Sequence, residues 1–336
     1  YSFGDTCHVL PVVRTLQRAW PDTRFTWIIG RVEAKLLGHI PDIEFIVLDK
    51  KSLAGSYRTL REAMRGRRFD VLMHMQVALR ASLLSTLVPA RIKLGFDRRR
   101  ARELQWLFTS NRIRPAERQH VLDSLFGFAE KYHVYEKVLR WDIPIPLSAR
   151  EYARRVIDDA KTLIISPCSS HRLRNWRPEY YAQIADYAIT ALGLRVVLCG
   201  GRSEAEQRMG EAIVRNMTQR CENTIGQDTL LEFLATLEGA IAIITPDSGP
   251  AHMATAVGTP VIGLYAATNP ARSGPYLSRQ WCIDKYDLAA RRLLGKSAVD
   301  LPWTTKIERP GVMDLITPDD VIKKLHSVLL ALARKR

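Results

Sequence analysis

The sequence predicts an α/β protein made of two successive domains, each with a mostly parallel sheet. Three observations predict it. Short runs rich in branched and aromatic residues alternate with stretches of helical period over most of the chain. The alternation breaks once, at WDIPIPLSA (141–149), where two prolines stand close together. It then resumes for about as long again. The 336 residues, 46% of them hydrophobic, are enough for two domains with cores of their own.

The elements follow in order. VLPVVRTLQRAWP (9–21) reads as a helix, because Val9, Val12, Val13 and Leu16 share a face and Pro21 stops it. FTWIIG (25–30), EFIVLD (44–49) and FDVLMHM (69–75) read as strands, with helices near 31–38 and 55–66 between them. Residues 91–96 lead into the basic run DRRRARELQWLF (97–108), and 118–138 reads as one long helix. Residues 139–160 are the expected linker, with a short helix at 149–159. The second domain then runs through strand TLIISPC (162–168), helix 178–192, strand RVVLCG (195–200) and helix 203–215. Helix 228–238, strand AIAIITP (240–246), helix 250–257 and strand PVIGLY (260–265) complete the alternation. The last stretch, 317–336, has a strong helix start in Thr317 followed by Pro318, Asp319 and Asp320. Two such halves suggest a cleft between them, with ligands beyond the carboxyl ends of the strands.

Composition narrows the function. The formal charge of +15 attracts anionic partners: nucleic acid, an acidic membrane surface or phosphorylated small molecules. The arginine clusters have little aromatic interleaving of the kind single-strand binders use, and no nucleic-acid module is present. Cys7, Cys168, Cys199, Cys221 and Cys282 are scattered without a CxxC, which fits a reducing compartment. No uncharged apolar run reaches the roughly 18–20 residues of a spanning helix. No signal peptide is visible, and the Tyr1 start leads us to expect a short missing N-terminal piece. No HExxH, GxSxG or Walker A motif occurs, and no carboxylate–histidine cluster has metal spacing.

Four strand-end loops of the second domain could hold a ligand. In TPDSGPAHM (245–253) a strand ends in a tight turn at a helix start, where free N–H groups suit phosphate. Gly249 allows close approach and His252 could hydrogen-bond a ligand; Asp247 or Ser248 could instead cap the helix. LYAATNP (264–270) ends the next strand and offers Thr268 and Asn269. SPCSSHRLRNWRPEYY (166–181) supplies Ser169 and Ser170 as small donors, with Arg172 and Arg174 to neutralise a diphosphate. Trp176 and Pro178 read there as packing residues. In CGGRSEAE (199–206), Glu204 or Glu206 could accept from a ribose or simply favour the helix start. In the first domain, GDTCHVLP (4–11) presents Asp5 at a turn, as a general base or as a helix cap. The clusters around Arg58 and Arg61 and around Arg98 are either a solvated face or a docking surface for a polyanion.

Taken together, GDTCHVLP (4–11), WII (27–29), RLRNWRPE (172–179), GGRSEAE (200–206) and PDSGPAHMATAVGTPVIGLYAATNP (246–270) resemble the heptosyltransferases of glycosyltransferase family 9, which build the inner core of lipopolysaccharide. The resemblance covers nearly the whole chain. It implies a GT-B fold, with two Rossmann-like domains facing across a cleft. Residues 1–150 would be the acceptor domain, preceded in relatives by a first strand. Residues 160–316 would hold the nucleotide-sugar, and helix 317–336 would return to the first domain.

The resemblance also implies roles. Asp5 would be the general base. The family's donor-phosphate lysine falls on Arg174, a departure that keeps the charge and changes the geometry. Ser169, Ser170, Glu204, Asp247, Ser248, Gly249, His252 and Thr268 would contact the donor, ADP-heptose. Arg58, Arg61, Arg98 and His120 would meet the acceptor, Kdo-bearing lipid A. Transfer would be direct and inverting, with no metal and no further cofactor. The GTPVIGLYAATNP turn and QHVLD (119–123) look most like the heptosyltransferase I type, with the II type, another family 9 donor or a non-catalytic GT-B protein as alternatives. The implied setting is a monomer at the cytoplasmic face of the inner membrane, touching its anionic surface and binding no nucleic acid.

Overall fold

A computed structural model describes residues 3–158 and 161–334, apart from the side chains of Phe3 and Asp5. The chain divides into two compact units, Tyr1–Pro144 and Ile145–Arg336.

The first unit runs α1 (Phe3–Ala19), β1 (Phe25–Gly30), α2 (Arg31–Leu37), β2 (Ile43–Leu48), α3 (Leu53–Ala63), β3 (Phe69–Met73), α4 (Leu79–Ser85), β4 (Ala90–Gly95), β5 (Asn111–Arg112) and α5 (Val121–Glu130). All its strand pairings are parallel, in two sheets: β1 with β2, and β3–β4–β5. A cavity of about 1820 Å³ is walled by β1, β3 and the Val9, Val13 and Leu16 face of α1. Ile46, Leu48, Leu60, Met64, Leu84 and Val88 form a local core beneath α3 and α4.

Three readings of this half change. Helix α1 begins at Phe3, before the Val9 start the periodicity suggests, so Gly4 and Asp5 belong to its first turn and not to a preceding loop. The long helix expected over 118–138 ends at Glu130, because His133 takes a left-handed conformation (φ 63°) that breaks the helix. Helix α4 and the short β5 carry too few residues to show a period.

Pro11 lies inside α1, where proline removes the N–H that would bond the carbonyl four residues back. That carbonyl belongs to Cys7, and the indole Nε1 of Trp141 donates to it at 2.7 Å. The segment around Trp141 is strapped along the helix. Val138 N donates to Thr15 Oγ1 at 2.8 Å, and Arg14 donates to the carbonyls of Trp141 and Asp142. A distant side chain thus supplies the donor that proline lacks.

The second unit runs α6 (Leu147–Ile157), β6 (Thr162–Ile165), α7 (Pro178–Thr190), β7 (Arg195–Leu198), α8 (Glu204–Asn216), β8 (Glu222–Asn223), α9 (Leu230–Gly239), β9 (Ala242–Pro246), α10 (Gly249–Ala256), β10 (Val261–Tyr265), α11 (Pro270–Ser273), β11 (Ile283–Asp284), α12 (Tyr286–Leu294) and α13 (Pro318–Ala333). Its six strands form one parallel sheet in the order β11–β10–β9–β6–β7–β8. The chain moves outward from β6 to β8, then restarts beside β6 with β9 and moves outward the other way. The reversal lies between β6 and β9, the place where open parallel sheets bind ligands.

Helix α6, expected as part of a linker, packs on α9 in this unit. Helix α13, expected to return to the first domain, is part of the second unit and packs on α7, β10 and β11. Val321, Leu325 and Val328 of α13 are buried in the same core as Trp176 and Tyr181. Its start is as read: Thr317 caps the helix, Pro318 follows, and Thr317 and Asp320 bond reciprocally.

Replacing Trp141 by Phe removes the indole donor from the buried Cys7 carbonyl. It should cost about 1–3 kcal/mol in urea unfolding. In a Pro11→Ala background the helix supplies its own N–H, and the same substitution should cost clearly less. Equal costs in the two backgrounds would contradict this account of the proline.

Candidate functional site

The site forms where β6 and β9 lie side by side. Ser166 N donates to Ile244 O at 3.0 Å, which carries the strand pairing to the mouth of the two following loops. The β6 loop turns through a short 3-10 turn at Arg172–Arg174 before α7. The β9 loop passes through Asp247 and Ser248 into α10.

Arg174 joins these loops to a third segment. Its side chain is only 11% exposed. Its Nε and Nη2 donate to Glu308 Oε1 at 2.8 and 2.5 Å, and Nη1 stands 3.7 Å from Asp247 Oδ2. Ser273 Oγ donates to the same Asp247 oxygen at 3.4 Å. His171 Nε2 lies 3.6 Å from Glu308 Oε2, while its buried Nδ1 has no hydrogen-bond partner. Burial pushes the Glu308 carboxyl up. The Arg174 hydrogen bond and charge, with His171 and Lys306, outweigh that and hold it below its ordinary value.

Glu308 is kept in place by backbone ties. Ile307 N donates to Ala267 O at 2.7 Å, and Tyr286 Oη donates to Thr305 O at 2.9 Å. Residues 305–308 are thereby pinned to the loop after β10 and to the start of α12.

The start of α10 is open. Ser248 occupies the capping position, but its hydroxyl pairs with Thr245 Oγ1 at 2.8 Å and does not cap. Pro250 has no N–H to satisfy. Helices α8, α9 and α13 all carry side-chain caps at the same place. The capping alternative for Asp247 and Ser248 is therefore not taken up, and no capping side chain bonds the positive end of α10.

The structure brings together Ser169, Arg174, Asp247, Ser248, Gly249 and His252 on these two loops. Ser169 N donates to Asn175 Oδ1 at 2.7 Å, which fixes the β6 loop, and Ser170 is exposed beside it. His252 is buried in the first turn of α10 and Thr268 is buried after β10. Asn269 is spent as the cap of α11. Trp176 and Pro178 are packing residues: the indole is buried and donates to Ile316 O, and Pro178 opens α7. Cys168, beside the site, is pushed up to about 12 by burial and then by Glu206, so it is a neutral thiol at pH 7.

Other expected residues fall elsewhere. Glu204 heads α8 on the next strand loop, exposed and ion-paired to Arg208 one turn on. Its neighbour Glu206 is committed to the loop itself, accepting from Gly201 N at 2.8 Å. In the first unit, Arg58 and Arg61 are exposed on α3, and Arg98 lies over the Trp106 ring at 5.0 Å. His120 is set back from the surface. It is buried at the head of α5, where its Nδ1 accepts from Leu122 N at 3.1 Å and its ring stands edge-on to His8. The side chain of Asp5 lies outside the described residues.

Sequence reasoning missed Glu308 and His171. His171 sits in a stretch already singled out, next to the serines. Glu308 lies 134 residues from Arg174 in a segment with no period. Its only local signal is an acid between two basic residues in KIER (306–309). Among the described residues no group of three His, Cys, Asp or Glu could hold a metal ion, and no helix is long and apolar enough to cross a membrane.

The profile of glycosyltransferase family 9 (heptosyltransferase) matches residues 57–298. The lipopolysaccharide core heptosyltransferase OpsX of Haemophilus influenzae is 38% identical over 328 residues, 97% of this chain and 94% of that one. The chain belongs to glycosyltransferase family 9. It is an enzyme, a glycosyltransferase of the heptosyltransferase kind. Solved structures agree on the fold. The family 9 glycosyl transferase of Veillonella parvula superposes with TM-score 0.81 at 23% identity, over 98% of this chain and 95% of that one. The E. coli heptosyltransferase WaaC with ADP gives 0.74 at 20%, over 98% and 97%. The fold is GT-B, built from two Rossmann-like α/β domains.

The lowered pKa of Glu308 sets a pH dependence. The folded protein holds the carboxylate more readily than the unfolded chain. The stabilisation is complete above the ordinary value of 4.5 and is lost as pH falls through the lower folded value. Glu308→Gln should therefore lower the melting temperature at pH 7, by the equivalent of about 1–2 kcal/mol. The gap to wild type should close as the pH is taken below the ordinary value. A gap that stays constant from neutral to acid pH would contradict the ionic role of Glu308.

Proposed function

We propose that this enzyme transfers L-glycero-D-manno-heptose from ADP-heptose to a Kdo residue of the lipid A inner core, with inversion at the anomeric carbon. The observation that carries the reading is Arg174, a mostly buried cation beside the uncapped start of α10 at the sheet's switch point. A cation and a helix start together suit a diphosphate. The relatives support the substrate: OpsX is a lipopolysaccharide core heptosyltransferase, and WaaC structures hold ADP and ADP-2-deoxy-2-fluoro heptose.

In this reading Arg174 and the α10 N–H groups bind the donor diphosphate, aided by Ser169, Ser170, Ser248 and Gly249. Asp247, His252 and Thr268 line the donor site, and Glu204 meets the ribose. Asp5, in the first turn of α1, accepts the proton of the acceptor hydroxyl. That oxygen forms a bond to the anomeric carbon as the bond from that carbon to the diphosphate oxygen breaks. The bonding pair leaves with ADP, and Arg174 stabilises the charge that develops there. A single displacement inverts the centre. No metal is assigned a role, because the arginine and the helix end supply the positive field. Arg58, Arg61 and Arg98 meet acceptor carboxylates and phosphates. The enzyme works as a monomer in the cytoplasm, in peripheral contact with the anionic inner membrane.

The test is ADP release from ADP-heptose, with and without heptose-free Kdo-lipid A. Release should depend on the acceptor and should fall by about 10²–10⁴-fold in Asp5→Ala. No release by folded enzyme would overturn the assignment, and unchanged release by the variant would remove Asp5 as base.

A further inference from the structure

We infer that the face formed by α3, α4 and the 97–108 loop of the first unit is a docking surface for an anionic lipid bilayer. The inference rests on the proposed lipid-linked acceptor for its biological sense, and on this face for its physical argument.

Exposed large apolar side chains come in pairs here. Leu53 and Tyr57 lie one turn apart on α3, and Leu79 and Leu83 one turn apart on α4. Leu104 and Leu107 lie three residues apart across a 3-10 turn, each more than half exposed. A spacing of three or four residues puts the members of each pair on one side of their element. The three pairs belong to one surface. Arg80 of α4 donates to Ser56 Oγ of α3 at 3.2 Å, and Leu79 N donates to Glu103 Oε2 at 2.6 Å. In the second unit the exposed large apolar residues Leu147, Val214, Leu277, Val299 and Leu330 lie singly, far apart in the chain.

The loop backbone takes an uncommon form. Glu103 and Leu104 are consecutive non-glycine residues at φ 49° and 61°. This left-handed step opens the 3-10 turn that carries Leu107, whose N–H donates to Leu104 O at 2.9 Å. Burying Leu104 would relieve exposed apolar surface, yet the chain adopts an unfavourable backbone that leaves it outward.

Charge selects the occupant. Seven arginines lie between Arg98 and Arg118, against Asp97, Glu103 and Glu117. Arg65, just past the end of α3, and Arg99 and Arg102 on the loop are exposed. Leucine and tyrosine tips ringed by arginine match a bilayer interface, where side chains enter the acyl boundary and guanidinium groups meet lipid phosphates. A second copy of the chain would set the same arginines against each other. A nucleic acid would have no use for the leucines.

The experiment is co-sedimentation of the full chain with vesicles of phosphatidylcholine alone or mixed with phosphatidylglycerol, at low and raised salt. Wild type should bind the mixed vesicles, bind less at raised salt, and bind phosphatidylcholine weakly. The double variant Leu104→Ser, Leu107→Ser should lose at least about tenfold in partitioning. Leu79→Ser, Leu83→Ser on the neighbouring helix should lose binding in the same direction, and melting curves should stay at the wild-type value for both. ADP release with a deacylated, water-soluble acceptor should be unchanged in both variants. That arm fails alone if the heptosyl-transfer reading is wrong, and the vesicle arm fails alone if the face is wrong. Undiminished vesicle binding by both variants, or no binding by wild type, would overturn the inference. So would a dimer of wild type that both variants dissolve while still binding vesicles.

Discussion

A cation that is only 11% exposed has to be matched, and Arg174 is matched by two carboxylates from opposite directions. A charge taken out of water without partners costs several kcal/mol. Glu308 holds the Nε edge of the guanidinium, and Asp247 faces Nη1. The rest of the second unit serves this contact. The sheet order sets the β6 and β9 loops side by side, and the ties at Ala267 and Thr305 bring the late segment across to supply Glu308. Where the family resemblance implies a lysine, this chain has a guanidinium whose Nε and Nη2 both donate to Glu308 Oε1. The arginine is oriented before any ligand arrives, which reduces the ordering cost of binding.

The first unit solves a different problem by similar means. A proline inside α1 leaves a carbonyl without its donor, and Trp141 reaches across 134 residues to supply one. The strap from Val138 to Asp142 then fixes the helix whose first turn carries Asp5. In both units a local backbone or charge demand is met by a side chain far away in sequence. The order of the fold therefore depends on a few long-range polar contacts as well as on its apolar cores.

The alternation of elements in the second unit was legible because its central strands β6, β9 and β10 are wholly buried and its longer helices carry a period. LII, VVL and VIGLY are continuous apolar runs, as both faces of a covered parallel sheet require. The strand-end loops were legible too, since serine, glycine, proline and aspartate mark turns and helix starts. The packing of α13 on the second core was not legible, because its apolar face, Val321, Leu325 and Val328, names no partner by itself. The capping role of His120 was not legible, because a histidine before an apolar helix looks the same as ligand or cap until its burial is known. The start of α1 was hidden by Pro11, whose usual place is a first turn. Glu308 could not be read at all: one acid in an irregular segment gains its meaning only from the arginine that folding brings to it.

The central claim is that Arg174, held by Glu308 at the switch point of the second sheet, binds the diphosphate of the donor. The most direct measurement is calorimetric titration of ADP into wild type and Arg174→Ala, with adenosine as a ligand that lacks phosphate. The account predicts that the substitution weakens ADP by at least about tenfold, near 1.4 kcal/mol, and leaves adenosine binding unchanged. Equal ADP affinity in the two proteins would contradict it.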